Sequence, residues 1–302
     1  SPGEAAGGSF KGVMNLKSIP RYCAIAEDAH RQAFLPDLAD ARVVKLLALD
    51  LDGTLLEPGE KILPSVVEAL LKVAGKGVIV ATASGRSLED QLRILAGNGL
   101  GAEAGLPHYL IVNEQEIYEL RGCMYQPWEE HNRIVRERWL SVLPRALQVA
   151  ATEVEYLRGR GVAVELWPPD VAAQRGMVVL KFERVEDARL CEARLRQLLA
   201  GDSELQCDRS YRLIQILHKS AGKGPTLLTL LKALGLPEGA ALCIGDAPND
   251  LSMLDGSYGF MVAAVGNAEE EVKEAVRRAG GYVASRPRGE GVLEVLRAYN
   301  LV

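Results

Sequence analysis

Aromatic residues are scarce in this chain, making up 5% of its 302 positions, and a base-stacking surface needs more of them than that. Long basic runs are absent too. The 35 Lys plus Arg are outnumbered by 40 Asp plus Glu, leaving a net charge of −5. That balance argues against wrapping nucleic acid or docking on anionic membranes. No apolar run approaches the length of a membrane span, and the first residues lack the basic-then-apolar pattern of a signal peptide. The five cysteines (Cys23, Cys123, Cys191, Cys207, Cys243) form no CxxC pair, and the four histidines (His30, His108, His131, His218) lack ligand spacing. A zinc site or disulfide framework is therefore disfavoured, and reduced thiols in a cytoplasmic protein are expected.

What is present is ordinary globular material, 48% hydrophobic and 25% charged. The length suffices for one large domain or two smaller ones with real cores. Residues 1–9, SPGEAAGGS, read as a flexible leader or an expression remnant, and residues 1–42 as a whole carry no assignable pattern.

From Val43 onward strand-like and helix-like segments alternate. VVKLLALD is apolar on both faces, as a buried parallel strand must be. Pro64 opens PSVVEALLKVAGKG at helical spacing. GVIVATAS predicts a second strand, SLEDQLRILAGNG a helix capped by Ser87, and YLIVNE a third strand followed by the short ribbon EIYEL. Between about Trp128 and His218 the grammar changes to helices beside antiparallel ribbon. Alternation then returns with KGPTLLTLLKALG, ALCIGD, AEEEVKEAVRRAG, GYVA and GVLEVLRAYN. The pattern predicts an α/β fold: a doubly wound parallel sheet, residues 43–126 and 219–302, with an α+β unit inserted at 127–218.

Ligands of open parallel sheets bind beyond the carboxyl ends of the strands, and three polar clusters fall at that edge. Asp50 and Asp52 close the first strand, two residues apart and so on one side of it. They are followed by Gly53-Thr54, a pairing that a plain tight turn would also explain. An EF-hand loop is excluded, since Thr54 stands at its third ligand position. Thr82 to Ser84 end the second strand. Asp246, Asn249 and Asp250 follow ALCIG.

Carboxylates converging on one edge repel unless a cation joins them. Hard oxygen donors without thiolate or imidazole suit Mg²⁺, which also recruits a substrate phosphate. Ser84 and Gly85 lie where a strand turns into a helix, so a hydroxyl and N-terminal amides can face an oxyanion. Lys223 opens another helix, an unfavourable place for a lysine unless an anion accompanies it. AGKGPT fails the P-loop pattern, because Lys223 is followed by Gly224 and position 217 is Leu217.

DLDGT, SGR, KG and GDAPND, in that order, resemble the four motifs of the haloacid dehalogenase (HAD) superfamily of phosphatases. The resemblance runs from about Val44 to Tyr299. The insertion resembles the C2 cap of class IIB members, the sugar-phosphatase branch. VAAVGNAEEEV and RPRGEGVLEVLRAY resemble the later segments of sucrose-phosphate phosphatases and their relatives.

The resemblance implies that Asp50 attacks phosphorus to form an aspartyl-phosphate, and that Asp52 serves as general acid and base. It also implies Mg²⁺ held by the Asp50 carboxylate, the Asp52 carbonyl and Asp246, with Asp250 ligating or bracing. Ser84, Gly85 and Lys223 would bind the phosphate, and Asn249 would support the site. Two positions depart from the pattern: the second motif has Ser84 where threonine is usual, with Thr82 nearby as the other hydroxyl, and Gln115 replaces a common glycine.

The expected activity is Mg²⁺-dependent hydrolysis of a small phosphorylated metabolite, a sugar phosphate or glycosyl-glycerate phosphate. Nucleotide, flavin or pyridoxal phosphates are alternative substrates, phosphomutase an alternative activity, and a non-catalytic regulatory domain a further alternative. Arg158, Arg160, Glu165, Arg209 and Arg212 are the polar candidates for substrate contact in the insertion, set against the simpler expectation that most of them form a solvated face. A monomer or homodimer is expected.

Overall fold

The computed structural model describes residues 43–302; the expected leader and the unassigned stretch 1–42 lie outside them. Strand β1 (Leu46–Leu49) is fully buried and pairs in parallel with β2 (Ile79–Ala83) on one side and β10 (Ala241–Gly245) on the other. Around this centre the main sheet runs β12 (Tyr282–Val283), β11 (Met261–Ala264), β10, β1, β2, β3 (Tyr109–Val112), β4 (Glu116–Arg121), β5 (Met124–Pro127). All pairs from β12 to β3 are parallel; β3, β4 and β5 are antiparallel.

Alternation along each strand sends neighbouring side chains to opposite faces. Leu47, Leu49 and Val80 pack with α1 (Pro64–Gly75), α2 (Leu88–Gly97) and α9 (Arg288–Ala298). Leu46, Ala48 and Ile79 pack with α6 (Lys223–Ala233), α7 (Leu251–Leu254) and α8 (Glu270–Arg278) on the other face. Both faces are thus covered, which explains why the central strands read as unbroken apolar runs. The expected cap of α2 is present: Ser87 Oγ accepts from the Asp90 amide at 3.2 Å.

Between β5 and α6 lies a second sheet of order β6 (Val164–Leu166), β7 (Val178–Phe182), β9 (Leu213–His218), β8 (Leu205–Ser210), antiparallel throughout. One face of it packs on α3 (Glu129–Arg158) and α5 (Val185–Leu198) through Leu180, Phe182, Ile214 and Ile216. Val179, Lys181, Leu213 and Gln215 alternate to the opposite face and look onto a cavity shared with the main sheet.

The helix α4 (Pro169–Arg175) and strands β5 and β11 were not foreseen; each is four to seven residues long, too short for periodicity to reveal. Cys191, Cys207 and Cys243 are free and buried as expected, whereas Cys123 is disulfide-bonded, which corrects the expectation of reduced thiols throughout.

Candidate active site

The carboxyl ends of β1, β2 and β10 converge on the floor of a cavity of about 410 Å³. Asp50 leaves β1 with its amide bonded to the Ile244 carbonyl at 3.0 Å, which fixes the loop to β10. Gly53 follows at φ +82°, and a Cβ there would overlap both Tyr211 Oη and the Asp246 carboxylate. Glycine is therefore required for close approach, beyond the needs of a turn.

Lys223 is completely buried and bridges two carboxylates, with Nζ 2.6 Å from Asp50 Oδ1 and 2.6 Å from Asp250 Oδ1. The lysine foreseen as costly at a helix start is thus held by anions inside the protein. Burial opposes its charge, but Asp250, Asp50 and Glu114 hold its pKa well above the ordinary lysine value. Asp250 Oδ2 accepts from the amides of Asp246 (2.8 Å) and Ala247 (3.0 Å), so backbone and lysine together orient this carboxylate. Asp246 takes the Thr54 hydroxyl at 2.9 Å on Oδ1 and the Tyr211 hydroxyl on Oδ2.

Burial, and then the nearby Asp250 charge, raise the carboxyl pKa of Asp50 well above its usual range and push that of Asp246 up to about 7. Among the described residues no hydrogen bond reaches Asp50 Oδ2, leaving that oxygen open towards the cavity.

Oxygens of Asp50, Asp246 and Asp250 all lie within 4.8 Å of one another. Two of the three carboxylates share the Lys223 ammonium, the third is held by hydroxyls, and no imidazole or thiolate joins them among the described residues. This is a hard-oxygen donor set with excess negative charge, so the residues fit Mg²⁺.

On the second-strand edge Ser84 lines the cavity, and its Oγ accepts from the Arg86 amide at 3.1 Å. The Thr82 hydroxyl is committed to Gln91 Oε1 at 2.9 Å and does not line the cavity. Ser84 is therefore the hydroxyl placed at the site. Gly85 also lines it; a Cβ there would fall 2.8 Å from Glu114 Oε1 and 2.9 Å from Gln215 Nε2. Asp52 is gripped at both oxygens by Arg86, Nε to Oδ2 and Nη2 to Oδ1 at 2.7 Å each, and Arg86 Nη1 reaches Glu60 at 2.8 Å.

Sequence reasoning missed Glu114, Tyr211, Gln215, Arg175 and the Arg86 grip. Glu114 is buried after β3 at φ +69°, and its carboxylate accepts from Asn249 Nδ2 at 3.0 Å. Arg175, at the end of α4, donates to Asn113 Oδ1 at 2.6 Å and to the Gly85 carbonyl at 2.7 Å. Gln115, the departure from glycine, donates to the Gly176 carbonyl at 3.0 Å, so it contacts the smaller unit. Two buried acceptors on the cavity, Asn249 Oδ1 and Gln215 Oε1, find no donor among the described residues.

Of the five candidates in the insertion, Arg212 alone lines the cavity. Arg209 is buried in pairs with Glu192 at 2.5 Å and Glu269 at 2.7 Å. Arg158 donates to the Val164 carbonyl, Arg160 stacks on Tyr156, and Glu165 faces Lys181 at 3.6 Å.

A two-unit α/β fold with an acidic cluster around a buried lysine at its strand ends defines a phosphatase of the HAD type. The family model described as sucrose-6F-phosphate phosphohydrolase matches residues 43–300, and the chain belongs to that family. It is a HAD-type phosphatase, a phosphoric monoester hydrolase.

Among curated relatives it is similar to HMP-PP phosphatase of Serratia proteamaculans, 26% identical over 250 residues, covering 76% of this chain and 86% of that one. It is also similar to a glucosylglycerol-phosphate synthase of Pseudomonas anguilliseptica, 29% identical over 262 residues, 82% of this chain but 30% of that one. Among solved structures, the sucrose-phosphatase of Synechocystis in complex with sucrose and phosphate superposes with a TM-score of 0.62 at 19% identity, over 86% of this chain and 98% of that one.

Proposed function

We propose that the protein hydrolyses a small hydroxyl-rich phosphorylated metabolite, a sugar phosphate or glycosyl-glycerate phosphate, through an aspartyl-phosphate on Asp50. The observation that carries this reading is the cluster of Asp50, Asp246 and Asp250, two of them bridged by buried Lys223, from which Asp50 reaches the cavity. Asp50 Oδ2 is the open oxygen suited to attack, and Lys223 holds the other oxygen so that the carboxylate cannot rotate away. Ser84 and the amides that open α2 are placed to bind the phosphoryl oxygens. Asp52 transfers protons, and the grip of Arg86 on both of its oxygens fixes the direction of its carboxylate.

Mg²⁺ would be held by Asp50, the Asp52 carbonyl and Asp246, with Asp250 within ligand reach and braced by two amides, and would neutralise charge on the transferred group.

Residues 127–218 form, in this reading, a cap that closes over the substrate, with residues 43–126 and 219–302 as the catalytic core. Arg175 and Gln115 are two of the contacts that seat the cap. Action in the cytoplasm belongs to the same proposal. Three of the described cysteines are free thiols, and the Cys123 disulfide argues the other way. No helix among the described residues is long and apolar enough to cross a membrane.

The test is release of phosphate from 4-nitrophenyl phosphate, followed by a panel headed by sucrose 6-phosphate and phosphoglycerate glycosides. Activity should require Mg²⁺ and vanish in Asp50→Asn. Full turnover in that variant, or in excess chelator, sinks the proposal.

A further inference from the structure

Tyr211 is held in a backbone conformation that its own side chain disfavours. It opens the two-residue turn between β8 and β9, directly after the pair Ser210–Leu213, at φ +51°. Bulky residues rarely adopt this left-handed backbone, and they persist there only where the surroundings enforce it. Burial of the ring is not what enforces it, because the residue remains 36% exposed. What the turn achieves is the placement of a hydroxyl: Tyr211 Oη reaches out of the smaller unit and donates to Asp246 Oδ2.

Other residues are arranged around that contact. Gly53 leaves room for it, since a Cβ there would overlap Tyr211 Oη. Arg209 donates to the Tyr211 carbonyl at 3.3 Å and to Glu269 Oε1 at 2.7 Å. The Glu269 amide in turn donates to the Asp246 carbonyl at 2.9 Å. The hairpin tip therefore meets Asp246 twice, at its carboxylate through Tyr211 and at its backbone through Arg209 and Glu269. The carboxylate itself is held by one hydroxyl from each unit, Thr54 on Oδ1 and Tyr211 on Oδ2. Tyr211 lines the cavity, whereas Asp246 is buried and does not.

We propose that Tyr211 is a positioning residue through which the smaller unit sets the direction of the Asp246 carboxylate, so that seating of that unit and binding of Mg²⁺ are coupled. This rests on the phosphatase reading, in which Asp246 is a metal ligand, and adds to it a residue from outside the main sheet. A carboxylate that loses one of its two donors is freer to rotate, and loss of such a partner lowers metal affinity by about 10- to 100-fold. Linkage makes the effect reciprocal: a hydroxyl whose seating strengthens metal binding is itself seated more firmly by the metal.

The experiment compares the full chain with its Tyr211→Phe variant, which keeps the ring and removes the donor, using Mg²⁺ alone as ligand. Calorimetric titration should give a Mg²⁺ dissociation constant at least about tenfold higher in the variant, while far-ultraviolet circular dichroism matches the parent. Saturating Mg²⁺ should slow hydrogen exchange across β8 and β9 in the parent and have a smaller effect in the variant. Neither readout depends on turnover, and a tyrosine that merely seats the hairpin leaves the metal affinity where it was. An unchanged or tighter dissociation constant in the variant, or an equal response of exchange to Mg²⁺ in the two proteins, overturns the proposal. A parent that binds no Mg²⁺, or releases no phosphate from 4-nitrophenyl phosphate, overturns the phosphatase reading itself, and the proposal with it.

Discussion

Replacing Lys223 with methionine keeps the length of the side chain and removes one charge. Its ammonium is 0% exposed, and the carboxylates it joins are 6% (Asp50) and 0% (Asp250) exposed, so water does not screen the loss. Breaking a buried ion pair from one side costs about 3–5 kcal/mol, because the partner charge stays behind uncompensated. For a chain of this size that corresponds to a fall in Tm of roughly 6–20 °C.

The deficit should depend on pH. A buried carboxyl whose folded pKa lies above its unfolded one contributes stability below the unfolded pKa and loses it as pH rises through the folded one. Burial and the Asp250 charge already raise Asp50 in this way, and removing Lys223 takes away the group that opposes them. Urea unfolding in chelator should therefore show a small deficit at pH 5, where the carboxyls can take up protons, and the full one at pH 8. Adding Asp250→Asn to Lys223→Met should recover part of the loss, giving a coupling energy in a double-mutant cycle. A deficit below about 1 kcal/mol at pH 8, against the expected range, would refute the charge argument. So would a deficit independent of pH, or strict additivity.

In metal-free protein Asp246, pushed up to about 7, should make stability fall between pH 4 and 7, and Asp246→Asn should flatten that slope in thermal scans. Gly53→Ala places a Cβ against Tyr211 and Asp246 at a left-handed φ; kcat should fall at least tenfold, a rise of about 1.4 kcal/mol in the barrier, and parental kcat would contradict the close approach. Arg209→Met should destabilise by about 3–5 kcal/mol, because Glu192 and Glu269 lose a buried partner. It should also loosen the smaller unit, seen as faster hydrogen exchange at β8, and unchanged exchange there would assign Arg209 a local role only.

The floor of the site was legible because it is written at strand ends: Asp50, Ser84 and Asp246 each follow an apolar run that predicts a buried strand, and Lys223 betrays itself at a helix start. Glu114 ends the predicted strand YLIVNE in the same way, but no motif around it marks its carboxylate as part of a site. Its burial comes from Asn249, 135 residues away, which no local pattern encodes. Tyr211 looked like one more strand residue in YRLIQILH, and only the placement of the smaller unit brings its hydroxyl to Asp246. Arg209 illustrates the opposite error. It stood as a candidate for ligand contact or a solvated face, yet it is buried, and its partners Glu192 and Glu269, the latter from the start of α8, neutralise it. Side chains whose partners lie far along the chain were illegible wherever the partner carried no motif of its own.

The position of β1 between β2 and β10 also has a consequence for synthesis. Its first edge is covered as soon as residues 79–83 emerge, but the second waits for residues 241–245, with the whole of the smaller unit made in between. Until then the strand that ends in Asp50 presents an apolar, unpaired edge, and Lys223, Asp246 and Asp250 do not yet exist to hold the carboxylate. The cluster of carboxylates and lysine is therefore assembled last, so a nascent chain is exposed to misassociation until residues 241–250 are made.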